Sequence, residues 1–268
     1  MADRCPICQE AMQPRFEVLI LDKYHRHLLQ CLGCDYLTVA GIDWLEEAYA
    51  ESIAVTDTGI MMRNILFAQQ IAIVLYGLFG RSGVFLDHAG GYGLFVRLMR
   101  DLGFDFSWWD RFSPNLAARG FEDDRGRRYT AVTALEFLEH VPNPLGVLRE
   151  FLGDRRAEAA ILTTSLYRHG TVPGSEWSYY SFETGQHISF FTERTMATMA
   201  AKLGVRYVGH GNIHVFMKRP PAWLAWYLRL ACSRLRPLIL GFVKARMPSL
   251  TLADHDRAMV WLREKGHE

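Results

Sequence analysis

Three groups of residues in this chain have types and spacings that can do chemistry. Cys5-Pro6-Ile7-Cys8 and Cys31-Leu32-Gly33-Cys34 are two C-x-x-C knuckles with 22 residues between Cys8 and Cys31. Four thiolates so spaced can close a tetrahedral zinc site, and four sulfur ligands leave no position open for hydrolysis. The competing uses are a disulfide pair or a redox pair, though a redox pair needs no second knuckle. Glu139-His140 and His187 are proton-handling types, since imidazole titrates near neutral pH and can take a proton from a hydroxyl or an acidified carbon. In the third group, Val84-Phe85-Leu86-Asp87-His88-Ala89-Gly90-Gly91-Tyr92-Gly93, an apolar run ends in a carboxylate and then a glycine-rich bend. Glycines remove the Cβ atoms that would keep a ligand from the backbone, and the helix that follows points unpaired N–H groups at an anionic end of that ligand.

These groups need elements to hold them. Arg15 to Leu29 alternates as short strands, Asp43 is placed to cap a helix over Trp44–Tyr49, and Met61 to Phe79 is an amphipathic helix ending before Gly80. Val84–Leu86 begins a strand–turn–helix unit closed by Gly103, and Phe104–Trp109 is the next strand, with Asp110 at its end. Ser113–Ala118 reads as a short helix, and the charged run Phe121–Arg128 leaves room for only a brief third strand. Strands follow at Tyr129–Leu135 and Ala157–Ser165, with a helix at Leu145–Leu152 between them. Leu166–Ser189 has no periodicity yet holds Trp177, Tyr179, Tyr180, Phe182, Gln186 and His187; long irregular loops of this kind are usually functional, and aromatics with polar tips suit a small-molecule pocket. After a helix at Glu193–Leu203, the strands Val205–His210 and Ile213–Lys218 join through Gly211-Asn212, a two-residue turn that makes an antiparallel hairpin.

A dinucleotide fingerprint fails here, because Gly91 and Gly93 begin the pattern but Val96 stands at its third glycine. The run Asp87–Gly93 instead resembles motif I of the class I S-adenosylmethionine-dependent methyltransferases, with Ala89 where that family has its first glycine. Glu136-Phe137-Leu138-Glu139-His140, followed by Pro142 and Pro144, resembles the family's E-x-x-E-H motif. Gly185-Gln186-His187-Ile188-Ser189-Phe190-Phe191-Thr192 resembles a segment that often contributes to its active site. The resemblance covers roughly residues 83–218. It implies a Rossmann-like α/β fold with a seven-stranded sheet whose last strand is inserted antiparallel, as the terminal hairpin independently suggests. It also implies S-adenosylmethionine as cofactor, held by Asp87, Ala89, Gly90, Gly91, Tyr92 and Gly93. Asp110, 23 residues past Asp87, would accept hydrogen bonds from both ribose hydroxyls, and Arg111 and Phe112 follow, the aromatic able to cover the adenine. Catalysis would fall to His187 or the Glu139–His140 pair, and acceptor binding to Trp177, Tyr179, Tyr180 and Gln186.

The expected organisation is a zinc-ribbon-like module (1–42) bound through Cys5, Cys8, Cys31 and Cys34, a helical linker or lid (43–82), the cofactor-binding domain (83–219) and a helical extension (220–268). Half of the 268 residues are hydrophobic and the formal net charge is +1, so the chain can bury a core and has no global pull towards nucleic acid. With no apolar leader and no uninterrupted apolar run of membrane length, the cytoplasm is the expected compartment. Relatives with a zinc module and a Gln-His segment favour a sugar, glycan or secondary-metabolite acceptor. An RNA or protein methyltransferase that grips its substrate with the ribbon is the first alternative, and a non-catalytic cofactor-binding homologue the second. Past Pro220-Pro221, the basic, apolar stretch Ala222–Met247 reads as helix broken at Pro237, able to meet a membrane surface or a subunit, and Asp254-His255-Asp256 reads as a solvated face.

Overall fold

The computed structural model of the chain describes residues 4–49, 56–124 and 126–264. In chain order the elements are β1 (Met12–Ile20), β2 (Tyr24–Cys31), β3 (Leu37–Val39), α1 (Leu45–Ala48), α2 (Ile60–Phe79), β4 (Val84–His88), α3 (Leu94–Asp101), β5 (Asp105–Trp109), β6 (Ala131–Leu135), α4 (Pro144–Arg149), β7 (Ala159–Thr163), β8 (Ser189–Phe190), α5 (Glu193–Leu203), β9 (Arg206–His210), β10 (Ile213–Met217), α6 (Leu224–Ala231), α7 (Arg236–Lys244) and α8 (Thr251–Glu264). One six-stranded sheet has the order β5-β4-β6-β7-β10-β9. β4 runs parallel to β5 and β6, and β10 runs antiparallel to β7 and β9. This is the expected α/β fold with one strand fewer than the seven foreseen. The third strand is reduced to a single bridge, Trp108 to Glu122, because Phe121–Arg128 has too few apolar residues to bury a strand.

The chain divides into two compact units, residues 1–56 with 134–224 and residues 57–133 with 225–268. In the first, β1, β2, β3 and β8 form a second, four-stranded antiparallel sheet. The N-terminal strands are therefore stitched to Ser189–Phe190, far along the chain. Their shared core is Val18, Ile20, Leu28, Leu37, Trp44 and Phe190, joined by Tyr167, Tyr180 and Ile188 from the irregular segment before β8. Asp43 does not cap α1: its carboxylate takes two hydrogen bonds from Arg26 (2.7 and 2.8 Å), and the α1 N-cap residue, Trp44, makes no side-chain cap. Asn143 caps α4 ahead of Pro144, and Thr192 caps α5 in a reciprocal box with Thr195.

In the second unit, α2 packs on α3 and α7. By length and composition α2 can cross a membrane, yet its middle, Phe67 to Leu75, is largely buried in the unit as a core helix. Ser113–Ala118 forms no helix; the Asn115 side chain instead accepts from Ala118 N–H and donates to its carbonyl, the local alternative Asn offers to a helix. The helical stretch is interrupted at residues 232–235, between α6 and α7, and Pro237 stands in the first turn of α7, where a helix needs no N–H. Asp254 is not a solvated residue. It is 6% exposed and clamped by Arg100 (2.7 and 2.8 Å) and Arg97 (2.7 Å), while Arg100 also reaches Asp105 and lies 3.8 Å from the Phe121 ring centre.

Candidate functional site

The glycine bend belongs to the second unit and follows β4 directly. Ala89, Gly91 and Gly93 all have positive φ (62°, 52° and 85°), so three of five consecutive residues sit in the left-handed region. A Cβ on Gly93 would fall 2.8 Å from Asn115 Oδ1 and 3.0 Å from the Ala118 backbone, and one on Gly90 would fall 2.7 Å from Trp108. A Cβ on Gly91 would meet nothing within 4 Å, so there is open space on that side of the bend. Trp108 Nε1 donates to Gly91 O (2.8 Å), fixing the bend from β5.

Two carboxylates flank the bend. Asp87 is 2% exposed and accepts a hydrogen bond from Thr133 Oγ1 (2.7 Å). Burial, reinforced by the charge of Asp110 and only partly offset by Thr133, raises its pKa to about 8. Sequence reasoning missed Thr133; the signal lay in its register, directly across from Asp87 in the parallel β4–β6 pair. Asp110 holds backbone on both oxygens: Oδ2 accepts from Gly91 N–H (2.9 Å), and Oδ1 from Phe112 (2.7 Å) and Ser113 N–H (2.8 Å). It therefore ties the end of β5 to the bend and keeps lone-pair capacity mainly on Oδ2. Tyr92 is half-buried and its carbonyl accepts from Leu116 and Ala117, while Phe112 stands 58% exposed beneath the Arg111 guanidinium.

In the first unit, a short 3-10 turn at Leu138–His140 and the loop before β8 bring Glu139, His140 and His187 together, with their ligand-type atoms all within 4.8 Å of one another. The His140 and His187 rings meet edge to face at 4.8 Å. His140 Nδ1 lies 3.1 Å from Gln186 O, and His187 Nδ1 lies 2.6 Å from Tyr179 O. A carbonyl only accepts, so in the neutral ring each Nδ1 carries the hydrogen and each Nε2 the lone pair. Burial, with the charge of His187 adding to it, pushes His140 down to about 3, so that ring stays neutral at physiological pH. Tyr179 donates to Glu139 Oε1 (2.5 Å), accepts from Ser165 N–H and meets Thr164 Oγ1. Its own pKa is raised well above 10, first by burial and then by the charges of Glu139 and Glu136. Glu139 is therefore held by a hydroxyl that stays protonated. This donor set can also ligate a divalent cation.

The other residues foreseen for acceptor binding are drawn into packing. Tyr180 is 1% exposed, with its hydroxyl on Pro173 O (3.0 Å). Trp177 lies among Tyr167, Tyr179, Tyr180 and Phe190, and Gln186 Nε2 donates to Ala48 O (2.9 Å), which anchors α1 to the loop that carries His187.

The four cysteines of the knuckles are unbridged, and all their sulfurs lie within 4.8 Å of one another. Cys5 and Cys34 Sγ are 3.6 Å apart, Cys8 and Cys31 Sγ 3.2 Å. Sulfurs at about 2.3 Å from a tetrahedral zinc stand roughly 3.8 Å from each other, so the group fits the ion with small adjustments. Cys232 remains separate from this group.

Among known proteins, the methyltransferase-domain family matches residues 61–210, more than half of the chain. No curated protein matches it. Among solved structures, CalO1, a methyltransferase of calicheamicin biosynthesis bound to SAH, is similar at 16% identity and TM-score 0.46 over 67% of this chain and 61% of that one. An O-methyltransferase family protein from Burkholderia thailandensis is similar at 16% identity and TM-score 0.47 over 66% and 62%. The magnesium protoporphyrin IX methyltransferase of Synechocystis PCC 6803 is similar at 14% identity and TM-score 0.42 over 66% and 89%. The chain matches about three fifths of the length of the first two.

Proposed function

We propose a small-molecule methyl transfer for this chain, which belongs to the methyltransferase-domain family. The cofactor, S-adenosylmethionine, supplies a methyl group on a sulfonium, already a good leaving group. The protein then has to position an acceptor and remove its proton. Residues that would hold the cofactor are the bend Ala89–Gly93 with Asp87 behind it, and Asp110 and Phe112 after β5. The left-handed bend after β4 and the open space beside Gly91 support this assignment.

His187 is the proposed base and acts through Nε2, while Glu139 and the neutral His140 position it and the acceptor. The observation that carries this reading is the pair of adjacent imidazoles whose Nδ1 atoms both lie on backbone carbonyls, which sets each neutral ring with its basic lone pair on Nε2. A sugar, glycan or secondary-metabolite hydroxyl is the proposed acceptor, supported by the resemblance of Gly185–Thr192 to a segment used in such enzymes and by the near-neutral net charge. The decisive measurement pairs calorimetry using S-adenosylhomocysteine with turnover on an acceptor panel. His187→Gln should keep cofactor affinity and lose roughly 100- to 10,000-fold in turnover. Undiminished turnover in both His187→Gln and His140→Gln would remove a histidine base, cofactor binding without turnover on any acceptor would mark the non-catalytic cofactor-binding homologue, and no cofactor binding by the unaltered chain would mark a degenerate fold. Salt-dependent RNA binding would favour a macromolecular acceptor instead.

Cys5, Cys8, Cys31 and Cys34 are the proposed ligands of one structural zinc. The ion would link the start of β1 to the end of β2 in a segment with little core of its own. Metal analysis should find about one zinc per chain, lost in Cys31→Ser.

A further inference from the structure

From the structure we propose that the outward face of α7, with the exposed end of α6, docks on an anionic lipid surface. α7 is apolar on two sides. Leu240 and Val243 are buried, whereas Leu235, Leu238 and Phe242 are 52%, 74% and 50% exposed. These three are spaced three and four residues apart, which places them on one stripe of the helix. Trp226 on α6 is 62% exposed, an aromatic of the kind that settles at the headgroup level.

Charge decides what covers this stripe. From Pro220 to Ala253 the chain has five basic residues, Arg229, Arg234, Arg236, Lys244 and Arg246, and no Asp or Glu, although the whole chain carries only +1. Arg229, Arg234, Lys244 and Arg246 are exposed, and Arg246 lies over the Phe242 ring at 3.6 Å. The next acid along, Asp254, gives its charge to Arg100 and Arg97 and does not neutralise the stripe. Apolar side chains between cations match an interface with acyl chains below and phosphate headgroups at the rim. A second copy of the chain would bring the same positive charge against itself, and a nucleic acid would leave Leu238 and Phe242 without apolar cover.

The test is co-sedimentation of the full chain with phosphatidylcholine vesicles, with and without phosphatidylglycerol. Binding should require the anionic lipid and weaken with salt. Lys244→Gln with Arg246→Gln should lower the partition coefficient roughly thirtyfold. Leu235→Ser with Leu238→Ser should lower it by at least about tenfold at an unchanged melting temperature, because both side chains are exposed. The idea is overturned by absence of binding at low salt, by equal binding to neutral vesicles, or by variants that bind like the unaltered chain. Self-association abolished by the Leu235→Ser, Leu238→Ser pair would assign the stripe to a second copy and overturn it too.

Discussion

Single residues of the bend show where the chain gives up stability for a site. Ala89 holds φ 62°, a conformation that costs an L side chain about 1–2 kcal/mol and glycine almost nothing. After the extra chain entropy of glycine, Ala89→Gly should stabilise the protein by about 0.5–1 kcal/mol in chemical denaturation and keep cofactor binding. Gly93→Ala is the opposite case: left-handed backbone plus contacts near 3 Å should cost a few kcal/mol, on the order of 2–4, and weaken cofactor binding. Asp87 adds a pH signature. Its folded pKa, about 8, lies above the unfolded carboxylate value near 3.9, so the folded state binds the extra proton between them. Its contribution is intact at low pH and is lost as pH rises through about 8. Asp87→Asn should therefore flatten the decline in stability with rising pH and stabilise the protein above neutrality, while cofactor affinity falls by at least about tenfold. A single Asp87→Asn melting series from pH 5 to about 9 with parallel calorimetry would decide it.

At the scale of elements, α8 is held to its unit by charge as well as by packing. Burial alone would raise the pKa of Asp254, but hydrogen bonds from Arg100 and Arg97 outweigh it and hold the carboxyl below its usual range. Stability from this clamp is present above the unfolded pKa near 3.9 and disappears as pH falls through the lower folded value. Asp254→Asn should cost about 3–5 kcal/mol, since it leaves the Arg100 guanidinium, itself 4% exposed, without its main counter-charge. Arg97→Gln should cost clearly less, because Arg97 is more exposed and Asp101 is its second partner. Urea unfolding of the two variants side by side separates these outcomes.

Across the described residues, two sheets are built from segments far apart in sequence, and the smaller one has the cysteine knuckles beside its strand ends. β3 pairs with β8, and Thr195 Oγ1 donates to Cys34 O (2.8 Å), so the cysteine loops are tied to residues about 160 positions away. Loss of the proposed zinc should therefore be felt beyond the first 42 residues. Chelation or Cys31→Ser should lower the melting temperature and increase hydrogen exchange at β8 and at the loop that carries His187. Unchanged exchange there would show that the knuckles are dispensable to that region.

Residue types and local spacing already determined much of this. The cysteine quartet, the glycine bend after β4, the terminal hairpin and the α/β order were all legible, because each is written in a few adjacent residues. Long-range partners decided the rest. Asp43 has a capping residue's side chain but answers to Arg26, Asp254 has a solvated pattern but answers to Arg100, and Tyr180 looks like a pocket residue but fills a core. Thr133 beneath Asp87 and Tyr179 against Glu139 are settled by strand register and by a loop without periodicity. A polar side chain takes whichever partner the fold places within about 3 Å, and that choice is made in three dimensions rather than along the chain.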